Sequence, residues 1–278
     1  MKSTVDFDEG LGTVYERFML NDFFDLLVDT YGIDRVLEVP IYGMTGLTGI
    51  NSVQFVRRGC KVTLVDSNEE KVEEALQIWK LLPYEEDYEV LCHKDLSKLP
   101  FGNGSFKLVW NFAALWYVRQ AEKFLGEMNR VSSNLVLIFV PNKKQIGYFL
   151  RKYLMDKTFF TEVDEKWVDT KRIRSVLTSL GMKLKDQGVL DIPPWPDTCM
   201  PIGKIFDKLG IRKNDKKDER KDEGNKLWTW NIMSYYLGRD PALKSKVERF
   251  SFLEKISLPW KLKALWAHHN YMLFSKEP

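Results

Sequence analysis

Apolar residues along this chain gather in short runs, separated by stretches whose apolar positions recur at helical spacing. Val36 to Val39, Lys61 to Asp66, Tyr88 to Cys92, Phe106 to Trp110 and Leu135 to Val140 are such runs, four to six residues long. Near-continuous runs of that length suit strands of a parallel sheet buried on both faces. Helices are predicted between them. Val14, Phe18, Phe23, Phe24, Leu27 and Val28 fall near one helical stripe, with Gly32 as its stop. Further helices are expected over Ile50 to Arg58, over Asn68 to Leu82 with Ser67 or Asn68 as cap, and over Gln120 to Arg130. This alternation predicts an α/β fold with helices on both faces of a mostly parallel sheet.

Beyond residue 141 the rhythm changes. Asn142 to Leu154 and Lys171 to Leu180 read as helices, Met182 to Ile192 as a sixth strand, and His-His-Asn-Tyr-Met-Leu-Phe-Ser-Lys, from His268, as the last. About 75 residues, Pro193 to Ala267, intervene between those two strands. They open on a Pro-rich breaker, Pro193 to Pro201, and continue through residues 212 to 226, almost pure charge of both signs. Such a run reads as a solvated loop, because its acids nearly cancel its bases. Residues 1–192 with 268–278 are therefore expected to form the core, and 193–267 a mainly helical insertion or lid.

Composition narrows the function classes. A formal net charge of +3 on 278 residues gives no electrostatic case for nucleic acid as a partner. Three cysteines, Cys60, Cys92 and Cys199, stand far apart without a CxxC pair, which suits a reducing cytoplasm and suggests neither a disulfide framework nor a zinc site. No wholly apolar run exceeds seven residues, too short for a transmembrane segment. Six of the nine tryptophans follow residue 160, so the second half differs in character from the first.

The chemistry collects at the carboxyl ends of the predicted strands, where ligands of such sheets bind. Glu38 ends the first strand, and Gly43, Gly46 and Gly49 follow it. Asp66 ends the second, Asp95 lies just past the third, and Asn111 ends the fourth. The glycines read GxxGxxG and come late, which disfavours the GxGxxG of a nicotinamide site.

Residues 36 to 140 resemble the class I S-adenosylmethionine-dependent methyltransferases, in particular their small-molecule, ubiquinone/menaquinone-type group. Val-Leu-Glu-Val with its glycine loop resembles the first motif of that family, in an atypical form: Pro40-Ile41-Tyr42 stands where the family usually places its first glycines. VTLVDSNEEKVEEA resembles the second, and KDLSKLPFGNGSFKLVWNFAALWYV the later ones. The resemblance implies a Rossmann-like seven-stranded sheet whose last strand is antiparallel, with S-adenosylmethionine as cofactor. Glu38, Pro40, Gly43 and Gly46 would then line the cofactor. Asp66, beside Ser67, would hold the ribose hydroxyls, Asp95 and Leu96 the adenine edge, and Asn111 to Ala113 the methionine end. Plainer readings stand beside these: Glu38 as a strand-end acid, Asp66 as a helix cap, Asp95 as a loop acid, the glycines as a turn.

Trp116, Tyr117 and Trp195 are candidates to face a small, apolar or aromatic acceptor, with core packing as the alternative. The tryptophans of the insertion (Trp195, Trp228, Trp230, Trp260, Trp266) could line a roof suited to such an acceptor. His268 and His269 are candidate general bases or substrate ligands. Neighbours in a strand point to opposite faces, so one of them at most is expected at the site and no metal is expected there. Methyl transfer is an in-line displacement that positioning can largely support. The stretch LEKISLPWKLKALW could touch a membrane surface. A catalytically degenerate relative, binding cofactor or partner without turnover, is the alternative. The sequence leaves the oligomeric state open.

Overall fold

A computed structural model describes residues 9–41, 46–150, 152–153, 159–195 and 230–276. Five strands run parallel: β1 (Arg35–Glu38), β2 (Lys61–Asp66), β3 (Tyr88–Cys92), β4 (Phe106–Phe112) and β5 (Ser132–Pro141). β6 (Lys183–Leu190) and β7 (His269–Ser275) complete the sheet, in the order β3-β2-β1-β4-β5-β7-β6. β7 is antiparallel to both of its neighbours. Strand order reverses at β1, which pairs with β2 on one side and β4 on the other, so the carboxyl end of β1 is the switch point.

Alternate residues of the central strands bury on opposite faces. Val36, Leu64, Leu108 and Trp110 join one apolar cluster, and Leu37, Val65, Val109 and Val136 the other. The first cluster is covered by α1 (Leu11–Tyr31). Eight consecutive residues of that helix, Val14 to Asn21, are buried, so its middle is enclosed all round. Gly32 ends it in the left-handed conformation, φ 58°, its amide donating to the Val28 carbonyl at 2.9 Å. What encloses the outer side of α1 is the second half of the long segment between β6 and β7. Ile232, Met233, Tyr236, Leu243 and Val247 share its core cluster, and the Tyr236 hydroxyl meets Asn21 at 3.1 Å.

The strand positions match the sequence reading closely; the helices expected over Ile50 to Arg58 and Asn68 to Leu82 are shorter. Gly49, at φ 71°, turns the chain into a single 3-10 turn, Ile50–Ser52, before α2 (Val53–Arg57). A Cβ at Gly49 would sit 3.2 Å from Ala75 Cβ, so close packing on α3 (Glu69–Trp79) sets that turn. Asn68 caps α3, accepting from the Glu70 amide. α4 (Ala121–Val131) and α6 (Thr170–Ser179) cover the other face of the sheet, and α5 is the short Ile146–Leu150. β7 begins at His269, one residue later than expected, and β6 stops before Asp191. The residue range 212–226, Gly43, Cys199 and Trp228 lie outside the described residues.

Candidate active site

Glu38 is 1% exposed at the switch point. Its Oε2 accepts from the Ser52 hydroxyl at 2.5 Å, and Ser52 in turn accepts from the Trp110 indole at 3.2 Å. Burial is the main effect on this acid, and it pushes the carboxyl up to about 8; Asp66 pushes the same way, while Ser52 and Arg17 oppose it. Glu38 thus already has a structural partner, supplied by the turn after the glycine loop. Asp66, buried at the end of β2, accepts from the Asn68 amide at 2.8 Å and belongs to the same electrostatic group. Pro40 is buried, and beyond it the Ile41 amide donates to the Val65 carbonyl at 3.2 Å, holding the loop against β2.

The glycine loop is clamped by residues that the sequence pattern did not single out. Arg17, in the buried middle of α1, pairs with Glu9 at 2.8 Å, both side chains being nearly inaccessible. Glu9 Oε1 also accepts from the Leu47 amide at 2.9 Å, and Arg17 contacts Asn51. Gly46 stands at φ 76°, and a Cβ there would fall 2.3 Å from both Arg17 Nη2 and Glu9 Oε1. Its glycine is therefore demanded by the ion pair beside it. The available signal was Glu16-Arg17 itself, two charges inside an apolar helix, which need partners once buried.

At the outer edge, the His93 amide donates to the Asp66 carbonyl at 2.8 Å, which brings the loop carrying Asp95 beside the end of β2. Asp95 is exposed. Its Oδ1 accepts from the Ser97 hydroxyl at 2.6 Å and amide at 3.0 Å, bonds that hold its carboxyl below the usual range. Ser67 is half-buried next to Asp66, and Leu96 is buried in the α4-side cluster.

β4 ends in a left-handed residue. Ala113 has φ 48° with its amide bonded to the Phe139 carbonyl at 3.1 Å, an uncommon conformation for a residue with a Cβ. Asn111 is fully buried, but its side chain turns beneath α4, its Nδ2 lying 3.6 Å from Met128 Sδ. Trp116 is likewise buried in the α4-side cluster and Tyr117 packs on its ring at 5.8 Å. Trp195 lies on the opposite side of the sheet, edge-on to Tyr15 at 5.6 Å and to Phe250 at 5.4 Å. Among the described tryptophans of the insertion, Trp260 is exposed and Trp266 donates to the Pro193 carbonyl.

The second ionisable group forms where β6, β7 and α1 meet. His268 precedes β7, so strand alternation does not separate it from His269, and both rings approach one acid. His268 Nδ1 lies 2.8 Å from Asp191 Oδ2, and His269 Nδ1 lies 3.8 Å from the same oxygen and 3.7 Å from Glu16 Oε2. Asp191 is 1% exposed and left-handed, φ 66°. Burial would raise its carboxyl, but the two imidazoles hold it below the ordinary range. Burial raises Glu16, with His269 opposing. Nearby, Glu254 accepts from the Ile192 amide at 2.7 Å and is pushed up to about 7 by burial. The His269 ring packs on Phe112 at 4.5 Å, which ties this group to the end of β4 and to Ala113.

Residues 44–139 match the family model of a methyltransferase domain. No curated protein matches the sequence. Among solved structures, the MccD protein superposes with a TM-score of 0.55 at 13% identity, covering 93% of this chain and 96% of its own. The [4+2]-cyclase SpnF gives a TM-score of 0.53 at 14% identity, over 92% of this chain and 80% of that one. Magnesium protoporphyrin IX methyltransferase from Synechocystis PCC 6803, crystallised with bound SAH, gives 0.50 at 16% identity, over 64% and 77%. Likenesses of this depth establish the fold; the cyclase among them shows that one architecture hosts more than one reaction.

Proposed function

We propose that this chain, whose residues 44–139 match a methyltransferase-domain model, is a class I methyltransferase that transfers the methyl group of S-adenosylmethionine to a small apolar or aromatic acceptor. Asp66 carries the reading: a buried acid at the end of β2, next to the switch point and within the matched residues 44–139. There it receives the ribose hydroxyls, with Ser67 beside it. The solved relative with SAH bound supports the same cofactor. Glu38, Pro40 and Gly46 line the path of the cofactor along β1, and Asp95 with Leu96 meets the adenine edge. Asn111 to Ala113, through the backbone end of β4, flank the methionine.

The acceptor is placed between the end of β4 and the β6–β7 junction. Apolar rings surround that junction: Phe112 on His269, and Tyr15, Trp195 and Phe250 on the α1 side. The described residues 230–267 cover α1 and act as a lid on the core, and Tyr117 borders the acceptor entrance. In the transfer the carbon–sulfur bond breaks as the acceptor atom bonds the methyl carbon. An acceptor that carries a proton releases it to His268, whose Nδ1 is paired with Asp191. Orientation of the two reactants supplies most of the acceleration.

Among the described residues no helix is long and apolar enough to cross a membrane. Phe252, Leu258, Leu262 and Leu265 are nevertheless exposed along a stretch that also carries Lys255, Lys261 and Lys263. We read this stretch as a peripheral contact with an anionic lipid surface and the protein as cytoplasmic. Sedimentation with phosphatidylserine vesicles tests it, and equal recovery with and without vesicles removes it.

Calorimetry with S-adenosylmethionine, S-adenosylhomocysteine and NAD tests the cofactor. Binding of both sulfur compounds, lost in Asp66→Ala, is expected. Binding of NAD alone overturns the reading, and unchanged binding by Asp66→Ala overturns the site.

A further inference from the structure

Glu16, Asp191 and His269 come from three separate elements and bring one ligand atom each to within 4.8 Å of the others. All three residues are buried. His269 Nδ1 is 3.7 Å from Glu16 Oε2 and 3.8 Å from Asp191 Oδ2, too far for a hydrogen bond to either. It has no hydrogen-bond partner among the described residues, although the side chain is only 8% exposed and points between the two acids. Asp191 Oδ1 is in the same position, buried without a partner, while its Oδ2 is engaged by His268. Two carboxylates buried side by side with an unbonded imidazole nitrogen and an unbonded carboxylate oxygen make a costly arrangement. A dication between them satisfies both orphan atoms and neutralises both acids.

From this arrangement we propose that Glu16, Asp191 and His269 hold a divalent first-row transition cation at the acceptor end of the site. Ligands about 2.1 Å from such an ion lie roughly 3.0–3.4 Å apart, so the two histidine–acid separations of 3.7 and 3.8 Å shorten by about half an ångström when the ion binds, and the two acids draw together around it. Two oxygens and one nitrogen suit zinc, manganese or ferrous iron rather than the all-oxygen shells of magnesium and calcium. His268 is the positioning residue: its hydrogen bond to Oδ2 orients the Asp191 carboxylate, as outer partners of metal ligands do. Asp191, left-handed at φ 66°, aims that carboxylate back at β7. Three protein ligands leave coordination positions at which an oxygen of the acceptor can bind. The assignment deepens the methyl-transfer reading, since it makes the acceptor an oxygen-bearing molecule held by a Lewis acid, and it leaves the cofactor site untouched.

The test uses the full chain stripped with EDTA and titrated with cobalt(II), followed by visible absorption, with zinc and manganese as competitors in a thermal-shift series. One equivalent of cobalt with ligand-field bands is expected, together with a rise in melting temperature. Glu16→Gln and His269→Gln should abolish the bands, and His268→Gln should weaken binding roughly tenfold to a hundredfold. Calorimetry with S-adenosylhomocysteine on the same samples reports folding and the cofactor site separately. Cobalt bands without cofactor binding support the cation site and remove the methyl-transfer reading. Cofactor binding without cobalt bands, or bands that persist in both Gln variants, overturns the cation site.

Discussion

Glu38 and Asp191 are equally buried, each 1% exposed, at the carboxyl edge of one sheet, yet their acidities move in opposite directions. Glu38 faces a hydroxyl backed by an indole, and burial prevails. Asp191 faces two imidazoles, which overcome the same burial. Burial alone therefore does not decide whether an acid carries charge; the nearest partner does. The β1–β2 half, read as the cofactor half, contains a carboxyl that is neutral at low pH. The β6–β7 half, read as the acceptor half, concentrates charge.

The largest effect should come from breaking the charged half. Asp191→Ala removes the acid partner of His268 and places an alanine at φ 66°; loss of one member of a buried pair is worth roughly 3–5 kcal/mol. Asparagine tolerates the left-handed region, so Asp191→Asn should lose less. Urea unfolding checks both, and equal losses would show that the backbone is irrelevant to the contrast. The pH dependence comes next. Glu38 has a folded pKa above its unfolded one, so its protonated form stabilises the fold below the unfolded pKa, and that stability drains away as pH rises through about 8. Asp191 is depressed, so its contribution is present above its unfolded pKa and drains away as pH falls through its folded one. Melting temperature should thus decline on both limbs. Glu38→Gln should flatten the alkaline limb in part, with Glu254 retaining a share because it is raised in the same sense. An unchanged alkaline limb would show that Glu38 is ionised through the neutral range. The smallest effect belongs to the junction of the halves. Ala113→Gly relieves the left-handed conformation at the end of β4 and should stabilise by about 1 kcal/mol, as a raised urea midpoint. A loss instead would mean that the methyl group of Ala113, which is buried, packs better than its backbone is strained.

The two halves also differ in how much of them the sequence discloses. β2 was legible as Lys61 to Asp66 because a buried parallel strand writes its apolar residues nearly consecutively. Glu38 and Asp66 were legible for the same reason, since an acid ending such a run stands out. The stretch expected as one helix over Ile50 to Arg58 opens instead on a 3-10 turn, Ile50–Ser52, and is α-helical only over Val53–Arg57, a division that no local pattern encodes. Glu16 and Asp191 could not be joined from sequence, for they lie on different elements and meet only once β7 inserts between β5 and β6. The histidine pair failed by a single residue: His268 lies outside β7, and alternation holds only within a strand.

Glu9 is held by the glycine loop through its side chain and by Trp230 through its backbone, the Glu9 amide donating to the Trp230 carbonyl at 3.0 Å. One residue is thus a common fastening for the first loop of the sheet and for the segment that covers α1. By reciprocity, a ligand that draws the loop tighter onto Glu9 steadies the Trp230 bridge by the same free energy, and a molecule settling under that segment returns the favour to the loop. Two ligands at these places then need no direct contact to sense each other, because a single carboxylate near the beginning of the chain touches both structures.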